Sequence, residues 1–437
     1  MTTRPVRAQI AQALQAVAAG QSLDAAMGAV SGEERELAFA RALLYQTLRH
    51  HFSADALLRK LCQRKPRPSI SALLRAGLTE LRYLATPTHA VVDECVRAAH
   101  QLDRDAAGFV NAVLRRFLRE REALEASIAG DDEARLEHPR WLIEAFRRDW
   151  PDDLDALCAA GNRAGPMWLR VDPRSGSREA YQAELAALGI ASSAPSSPAH
   201  ALLLADAVAV ERLPGFAQGR VSVQDAAAQQ VVGVMAARPG QRVLDACASP
   251  GGKTAALAEG VAGLQLVAIE REATRLPRLR QTLERCRVEA QWIQADAADT
   301  AHWWDGRPFD HILIDAPCTG AGTWRRRPDA KWRLSANQLD QRVNEQAGIL
   351  DAVRRFVKPG GRIAYITCSV FEAENDAQAA RFLKSNTDYT AVPVADLLAA
   401  NLPGFPASSI RKTTHGLMLS PLTSGTDGFY LSVLQKR

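Results

Sequence analysis

Residues 245–254 read DACASPGGKT, directly after a short apolar run and directly before a stretch with helical spacing. A strand that leads through a glycine-containing turn into a helix is the place where open α/β sheets bind their ligands. Gly251 and Gly252 let the backbone approach a ligand, and free N–H groups at the helix N-terminus can receive an anionic group. The stretch is no Walker A loop, because Cys247 stands where that motif needs glycine, and the dinucleotide pattern GxGxxG is absent. We therefore predict a ligand-binding α/β domain.

Apolar runs alternate with helical stretches from residue 223 onward. The runs are 243–244, 266–269, 312–314 and 363–366. This alternation is typical of a parallel sheet flanked by helices. Glu270 ends the second run, where a carboxylate can accept hydrogen bonds from both ribose hydroxyls, and Asp296 follows the third strand toward the adenine end. A strand-end carboxylate is equally often a helix cap, but the two acids in strand order indicate a nucleoside site.

Two cysteines follow two of these strands. Cys318 comes shortly after Asp315 in IDAPCTGAG (314–322), and Cys368 ends YITC (365–368). The carboxyl ends of parallel strands meet at one edge, so both thiols are predicted to lie beside the ligand. A thiolate can add to carbon 6 of cytosine and so make carbon 5 nucleophilic, and a second group must then assist release. Asp315 can hydrogen-bond the ring N3 and the 4-amino group. Position alone leaves open which cysteine attacks.

Residues 323–334, TWRRRPDAKWRL, interleave cations with indoles directly after Cys318. Guanidinium groups suit phosphates and indoles suit base stacking, which is what single-stranded RNA binding needs. A charged surface loop is the alternative, but the position favours a substrate role. We predict RNA contacts by Trp324, Arg325, Arg326, Arg327, Lys331 and Trp332. The target base would have to leave any stack to expose carbon 6.

The residues before 223 divide into three parts. Residues 1–125 have helical spacing nearly throughout and predict a helical domain. Residues 126–165 predict a helical connector, and residues 166–222 a small α+β module with strands at 167–171 and 202–210 and a helix at 178–188. Cations cluster in the helical domain, at Arg59, Lys60, Arg64, Lys65 and Arg67 and again at Arg115, Arg116, Arg119 and Arg121. They indicate contact with RNA phosphates or, alternatively, a solvated helix surface.

Bulk composition narrows the class of protein. The 437 residues suggest two or three domains. The sequence contains no apolar run of about 18 residues, the length that a membrane-spanning helix needs. Without a secretory signal we expect a cytoplasmic protein with no membrane association. Seven scattered cysteines form no disulfide framework and no zinc motif, so we expect no metal; Cys62, Cys95, Cys158 and Cys286 are predicted to be buried hydrophobes. The net charge of +5 is weakly in favour of an anionic partner.

These motifs together resemble the RsmB/Nop family of RNA cytosine C5-methyltransferases. The resemblance rests on DACASPGGKT, DAPCTGAGTWRRRPDAKW (315–332), TCSVFEAEN (367–375) and DGFYLSVL (427–434). It implies a Rossmann-like class I methyltransferase domain over residues 223–437 that uses S-adenosyl-L-methionine. It also implies that Cys368 is the nucleophile and Cys318 assists product release, with Asp315 and Lys253 completing the catalytic set. The implied cofactor residues are Cys247, Ala248, Ser249, Pro250, Gly251, Gly252, Lys253, Glu270, Asp296 and Asp315. Ser249 stands where alanine is more usual, and Glu270 where aspartate is common.

The N-terminal helices resemble the RNA-binding fold of the antitermination factor NusB, through ERELAFARALLYQTLRHH (34–51) and AGFVNAVLRRFLRE (107–120). The combination is typical of the bacterial branch of the family that acts on 16S ribosomal RNA. It implies methylation of 16S RNA of the small-subunit precursor, and we expect the protein to be a monomer. A methyltransferase acting on transfer RNA is one alternative. A non-catalytic RNA-binding or ribosome assembly protein is another, although binding alone needs neither thiol.

Overall fold

A computed structural model describes residues 4–394, 410–422 and 425–437. The chain divides into two compact units. The first comprises Met1–Arg163 and Trp324–Leu334, and the second Ala164–Thr323 and Ser335–Arg437. The segment 324–334, which the sequence placed inside a continuous catalytic domain, is therefore grouped with the helical unit. Its side chains pack among the N-terminal helices, a long-range contact that local sequence spacing does not reveal.

The N-terminal part is helical, as predicted. Its helices are α1 (Val6–Ala18), α2 (Leu23–Gly28), α3 (Glu34–Arg49), α4 (His51–Leu61), α5 (Pro68–Tyr83), α6 (Thr88–Leu102), α7 (Ala107–Ile128), α8 (Asp132–Leu136), α9 (Arg140–Asp149) and α10 (Leu154–Asn162). Leu43, Leu44 and Leu48 of α3 recur at helical spacing and are fully buried. A capping box, in which Glu33 and Glu36 each bind the other's backbone N–H, fixes where α3 begins. Periodicity and capping thus both specify this helix.

The first part of the second unit is a small α+β module. It contains β1 (Trp168–Val171), α11 (Arg178–Ala187), β2 (Ser192–Ser193), β3 (Ala201–Leu204) and β4 (Val221–Val223). The strands form an antiparallel sheet in the order β2-β3-β1-β4, with α11 packed on its apolar face. The strand predicted at 202–210 is shorter than expected: the chain bends after Leu204, and Val210–Arg212 is a 3-10 helix.

The remaining elements form the α/β domain. They are α12 (Ala226–Gln229), α13 (Val231–Met235), β5 (Arg242–Asp245), α14 (Gly252–Gly260), β6 (Gln265–Glu270), α15 (Leu276–Arg285), β7 (Gln291–Gln294), β8 (Phe309–Asp315), α17 (Ala336–Val353), β9 (Val357–Thr367), α18 (Asp376–Ser385), β10 (Tyr389–Val392), β11 (Ile410–Lys412), β12 (Leu417–Leu419) and β13 (Phe429–Lys436). A short helix α16 (Ala330–Arg333) lies in the segment that belongs to the helical unit.

The sheet of this domain is mixed. Strands β7, β6, β5, β8 and β9 are parallel neighbours in that order, and all four predicted apolar runs lie in them. Beyond β9, the strands β13, β12 and β11 continue the sheet antiparallel, an extension that the sequence did not lead us to predict. The parallel strands place their carboxyl ends at one edge, where open α/β sheets carry their sites. Among the described residues, no helix combines the length and apolarity needed to cross a bilayer.

Candidate active site

The turn after β5 is organised by a carboxylate. Asp245 ends the strand and is almost fully buried; its Oδ2 accepts the Thr254 hydroxyl at 2.6 Å, and its Oδ1 accepts the Cys247 N–H at 3.4 Å. Burial raises the pKa of Asp245 to about 6, and the Thr254 hydrogen bond acts against this shift. Asp245 thus joins the end of β5 to the start of α14. It belongs to the DACASPGGKT motif, but the sequence alone gave it no role.

Gly251 is required by the backbone and by helix packing. Its φ is +96°, a left-handed conformation that favours glycine, and a Cβ there would lie 3.1 Å from Leu279 Cδ1 and 3.2 Å from Thr282 Cβ of α15. The same turn is tied to the start of α15, because Arg275 Nη2 donates to the Ser249 carbonyl at 2.8 Å. The structure thus shows Gly251 in close approach to the neighbouring helix α15. The close approach to a ligand that we predicted for Gly251 stays a prediction.

The two predicted nucleoside acids lie at the ends of adjacent strands. Glu270 ends β6 with 4% of its surface exposed, and its Oε1 accepts the Glu272 N–H at 2.7 Å. Asp296 lies just after β7, is half-buried, and accepts the Ala298 N–H at 2.8 Å through Oδ1. Each carboxylate therefore shapes its own turn, and each retains lone pairs for a ligand donor.

Lys253 and Asp315 form an ion pair at the centre of this edge. Lys253 Nζ lies 2.6 Å from Asp315 Oδ2 and 5.4 Å from the centroid of the Phe429 ring. Burial acts to lower the pKa of Lys253, but the negative charge of Asp315 outweighs it and the pKa is raised. Lys253 therefore carries its charge at neutral pH. The family resemblance implies that both residues are catalytic, but the sequence did not predict that they form an ion pair.

The two thiols are in hydrogen-bonding contact. Cys318 Sγ lies 3.5 Å from Cys368 Sγ, in the loops that follow the adjacent strands β8 and β9. The hydrogen bond with Cys368, followed by burial, raises the pKa of Cys318 well above its usual value. Cys318 thus keeps its proton at neutral pH and can donate it in the contact with Cys368. The charge of Lys253 also interacts with Cys368.

The remaining cysteines are free thiols outside this pair. Cys95, Cys158 and Cys286 are buried, as small hydrophobes should be, whereas Cys62 is half-buried. Burial raises the pKa of Cys95 to about 12 and that of Cys158 to about 12, so neither is a thiolate at neutral pH. Cys247 lies in the β5 turn, where burial also holds its pKa well above the usual value.

The basic segment 324–334 packs into the helical unit. Lys331 is buried, and its Nζ donates to Asn162 Oδ1 at 2.6 Å, the Glu137 carbonyl at 2.7 Å and the Arg49 carbonyl at 3.3 Å. Burial lowers the pKa of Lys331 to about 8. The Trp332 indole N–H donates to the Leu48 carbonyl at 3.1 Å.

Exposure divides the segment further. Trp324 and Arg325 are buried, Arg326 and Trp332 are half-buried, and Arg327 is exposed. The Trp324 ring lies 5.9 Å from the ring of His138 and 6.0 Å from that of Phe146, measured between centroids. The segment therefore has a packing role that the sequence did not indicate, and the RNA contacts expected of it stay a prediction.

The fold and the strand-end residues define a Rossmann-like methyltransferase domain, preceded by a ferredoxin-like module and a NusB-like helical domain. The chain belongs to the 16S rRNA methyltransferase RsmB/F family. The model of that family matches residues 232–435, a model of the RsmF/B-like ferredoxin-like domain matches residues 138–211, and the NusB family model matches residues 4–119. The resemblances to the RsmB/Nop family and to NusB are thus confirmed, and the predicted α+β module is a ferredoxin-like domain of the same family.

Relatives extend over the whole chain. Ribosomal RNA small subunit methyltransferase B of Pseudomonas putida is 41% identical and covers 98% of each chain. The protein of that name from Xanthomonas campestris is 41% identical over 95% of this chain and 92% of its own. The crystal structure of PH0851 has a TM-score of 0.78 at 22% identity, with 98% of this chain and 99% of that chain covered. NSun6 from Pyrococcus horikoshii with SFG has a TM-score of 0.60 at 16% identity, with 68% and 98% covered. These two structures show that the fold is shared.

Proposed function

We propose that this protein transfers a methyl group from S-adenosyl-L-methionine to carbon 5 of a cytosine in 16S ribosomal RNA. One observation carries the proposal: Cys318 Sγ and Cys368 Sγ lie 3.5 Å apart at the carboxyl ends of adjacent strands. Methyl transfer to oxygen or nitrogen needs no thiol, whereas carbon 5 of cytosine becomes nucleophilic only after a nucleophile adds to carbon 6. Two thiols at this edge therefore favour a carbon acceptor.

The residues of the cofactor site fit S-adenosyl-L-methionine by their donor and acceptor chemistry. Glu270 and Asp296 are acceptors at consecutive strand ends, which suits ribose hydroxyls and an adenine amino group. The turn 247–253 would hold the amino-acid end of the cofactor at the start of α14. When bound, the cofactor supplies an electrophilic methyl group.

The chemical roles follow from the contacts among the protein's own side chains. Cys368 attacks as the thiolate, and a bond forms between its Sγ and carbon 6 of the base. Asp315 accepts a hydrogen bond from the 4-amino group and from N3 once N3 is protonated, while the Lys253 ammonium beside it stabilises the negative charge that builds on the ring as the thiolate adds. After carbon 5 has taken the methyl group, a base removes its proton. The electron pair of that bond restores the 5,6 double bond as the Sγ–C6 bond breaks, and Cys318 assists this release.

The helical unit contributes RNA binding in this proposal. In the two cation clusters, Arg59, Arg67, Arg116 and Arg121 are engaged by carboxylates. Five other cations of the clusters are exposed and form no ion pair with any carboxylate among residues 4–394, 410–422 and 425–437: Lys60, Arg64, Lys65, Arg115 and Arg119. Lys65 also lines a cavity of about 820 Å³, together with the aromatic rings of Trp141 and Trp332. An exposed cation such as Lys65 beside aromatic rings suits a phosphate and an unstacked base.

The proposal extends to domain division and cellular context. We keep the division into 1–125, 126–165, 166–222 and 223–437, with 324–334 packing on the helical part. The protein would act as a cytoplasmic monomer on the small-subunit precursor, as the sequence led us to expect.

The test is to compare bisulfite-treated RNA from cells with and without the gene. Loss of a single cytosine mark in 16S RNA, restored by the wild-type gene but not by a Cys368→Ala gene, is the expected result. Loss of a mark in transfer RNA instead would support the alternative substrate. An unchanged pattern of marks, together with no methyl transfer by the purified protein, would leave an RNA-binding or assembly role.

A further inference from the structure

Glu374 holds the turn that carries Cys318. Its side chain is fully buried; Oε1 accepts the Thr319 N–H at 2.9 Å and Oε2 accepts the Thr319 hydroxyl at 2.6 Å. Gln346 Nε2 donates both to Glu374 Oε1 and to the Pro317 carbonyl, at 3.0 Å each. The residues on either side of Cys318 are thus fixed by one buried carboxylate and the amide that it binds.

Asn375, the next residue, holds the turn that carries Cys368. Its Oδ1 accepts the Thr367 hydroxyl at 2.5 Å, and its Nδ2 donates to the Ser369 carbonyl at 3.0 Å. The residues on either side of Cys368 are therefore fixed by one amide, which is itself buried. The hydroxyls of Ser369 and Thr319 also lie 3.3 Å apart, so the two turns contact each other directly.

We propose that Glu374 and Asn375 form a clamp that sets the distance between the two thiols. The effect of this distance on catalysis rests on the proposed function, whereas the clamp itself rests only on the contacts described above. Both residues lie in TCSVFEAEN, the motif that also supplies Cys368. The Tyr365 hydroxyl donates to the Glu374 carbonyl at 2.7 Å and so ties the clamp to β9. Both side chains are buried and bind the residues beside the cysteines, so we assign them as positioning residues that act through the cysteines.

Loss of the two clamp residues should affect different steps of the reaction. Loss of the Glu374 side chain removes both hydrogen bonds to Thr319 in the Cys318 turn and one to the Ser369 hydroxyl beside Cys368. The larger loss is in the Cys318 turn, so release should fail after the base has been attacked. Loss of the Asn375 side chain frees the Cys368 turn, so the attack itself should fail. A displacement of about 1 Å in a reacting group can cost on the order of a hundredfold in rate, so each loss should lower kcat roughly tenfold to a hundredfold. The two single variants should differ in what accumulates.

The first experiment measures geometry without RNA. A short bifunctional thiol reagent bridges Cys318 and Cys368 in the full-length protein, and the bridged peptide is counted by mass spectrometry. Glu374→Ala and Asn375→Ala should each slow bridging severalfold. Asn386→Ala is the matched control, because Asn386 is buried and donates to the Phe382 carbonyl at 2.8 Å without contacting either turn. Bridging at the wild-type rate in both clamp variants would overturn the proposal.

The second experiment follows the covalent RNA adduct on denaturing gels, with kcat and KM for RNA measured in parallel. Glu374→Ala should accumulate adduct as Cys318→Ala does, whereas Asn375→Ala should form little, and KM should hardly change in either. Glu374→Gln retains an acceptor for the Thr319 N–H and should recover most of kcat. Equal adduct levels in both variants, with activity that only follows the folded fraction, would also refute the clamp. If Cys318→Ala itself accumulates no adduct, the assigned cysteine roles fail, and the bridging rates still decide on the clamp.

Discussion

Lys253 Nζ and Asp315 Oδ2 lie 2.6 Å apart, which joins the start of α14 to the end of β8. The ion pair thus connects the turn expected to hold the methyl donor with the carboxylate expected to hold the target base. Oδ2 of Asp315 accepts from Lys253, which leaves Oδ1 and the second lone pair of Oδ2 for the 4-amino group of the base and for N3 when N3 is protonated. The Lys253 charge then lies close to where negative charge develops.

Asp315→Asn should therefore lower kcat for methylation by roughly a hundredfold to a thousandfold, because it removes the negative charge that pairs with Lys253 and replaces one of the two acceptor oxygens by an NH2 donor. RNA affinity should change little, since most of it comes from phosphate contacts. Single-turnover methyl transfer and RNA titration measure the two quantities.

Asp310→Asn is the matched control. Asp310 lies near the other end of β8 and pairs with Lys358 at 2.8 Å. A similar loss of kcat in both variants would mean that the effect comes from the strand and not from the site.

Exchange of each cysteine separates their roles. Cys368→Ala should abolish methylation without blocking RNA binding, because no sulfur remains that can attack carbon 6. Cys318→Ala should trap a covalent RNA–protein adduct, because attack proceeds while release fails. Denaturing gels of protein mixed with labelled RNA measure the adduct. An adduct in Cys368→Ala and none in Cys318→Ala would reverse the assignment.

Much of the site could be predicted because strand ends are marked locally in sequence. An acid or a cysteine that follows a short apolar run is predicted to lie at the carboxyl end of a strand, and so at the edge of the sheet. For this reason the sequence was enough to predict that Glu270, Asp296, Asp315 and the two thiols lie at that edge. Glu374, in contrast, reads as a surface acid among helix formers. Its burial depends on Gln346 and Thr319, which lie 28 and 55 residues away in sequence.

The burial of the basic segment 324–334 could not be predicted from the local sequence either. A run of cations reads as solvent-facing, since isolated buried charges are costly. Lys331 is buried all the same, because three acceptors from α10 and from the ends of other helical elements surround its ammonium. No local spacing indicates that such acceptors converge.

Lys331 makes stability depend on pH in a defined direction. Its pKa is about 8 in the folded protein, below the value of about 10.4 expected in an unfolded chain. Between these values the unfolded chain binds more protons, so stability should rise as the pH increases through this window. Lys331→Met lacks this gain and leaves three buried acceptors unsatisfied, so it should be less stable by about 1–3 kcal/mol. Thermal unfolding at about pH 7 and about pH 9.5 should show the gap between wild type and variant widening with pH. A constant gap would contradict the low pKa.

The cation clusters predict how RNA binding depends on salt. Deletion of residues 1–125 is a poor test, because the cut falls inside α7 and removes Leu48, which binds the Trp332 indole. Charge reversal at exposed positions should keep the fold. Arg115→Glu with Arg119→Glu changes two exposed side chains of one helix and should weaken RNA binding, with the salt slope reduced by about 0.7–0.9 for each phosphate that the variant no longer binds.

Arg35→Glu with Arg41→Glu provides the matched control, since it makes the same change in net charge at two exposed positions of α3 outside the clusters. RNA titrations over a series of salt concentrations should give this control a smaller loss of affinity and a slope close to that of wild type. Long-range attraction by net charge alone would instead weaken both double variants equally, because it does not depend on where the cations lie. A difference in slope therefore assigns the phosphate contacts to the α7 cluster, and equal slopes would remove that cluster from the RNA interface.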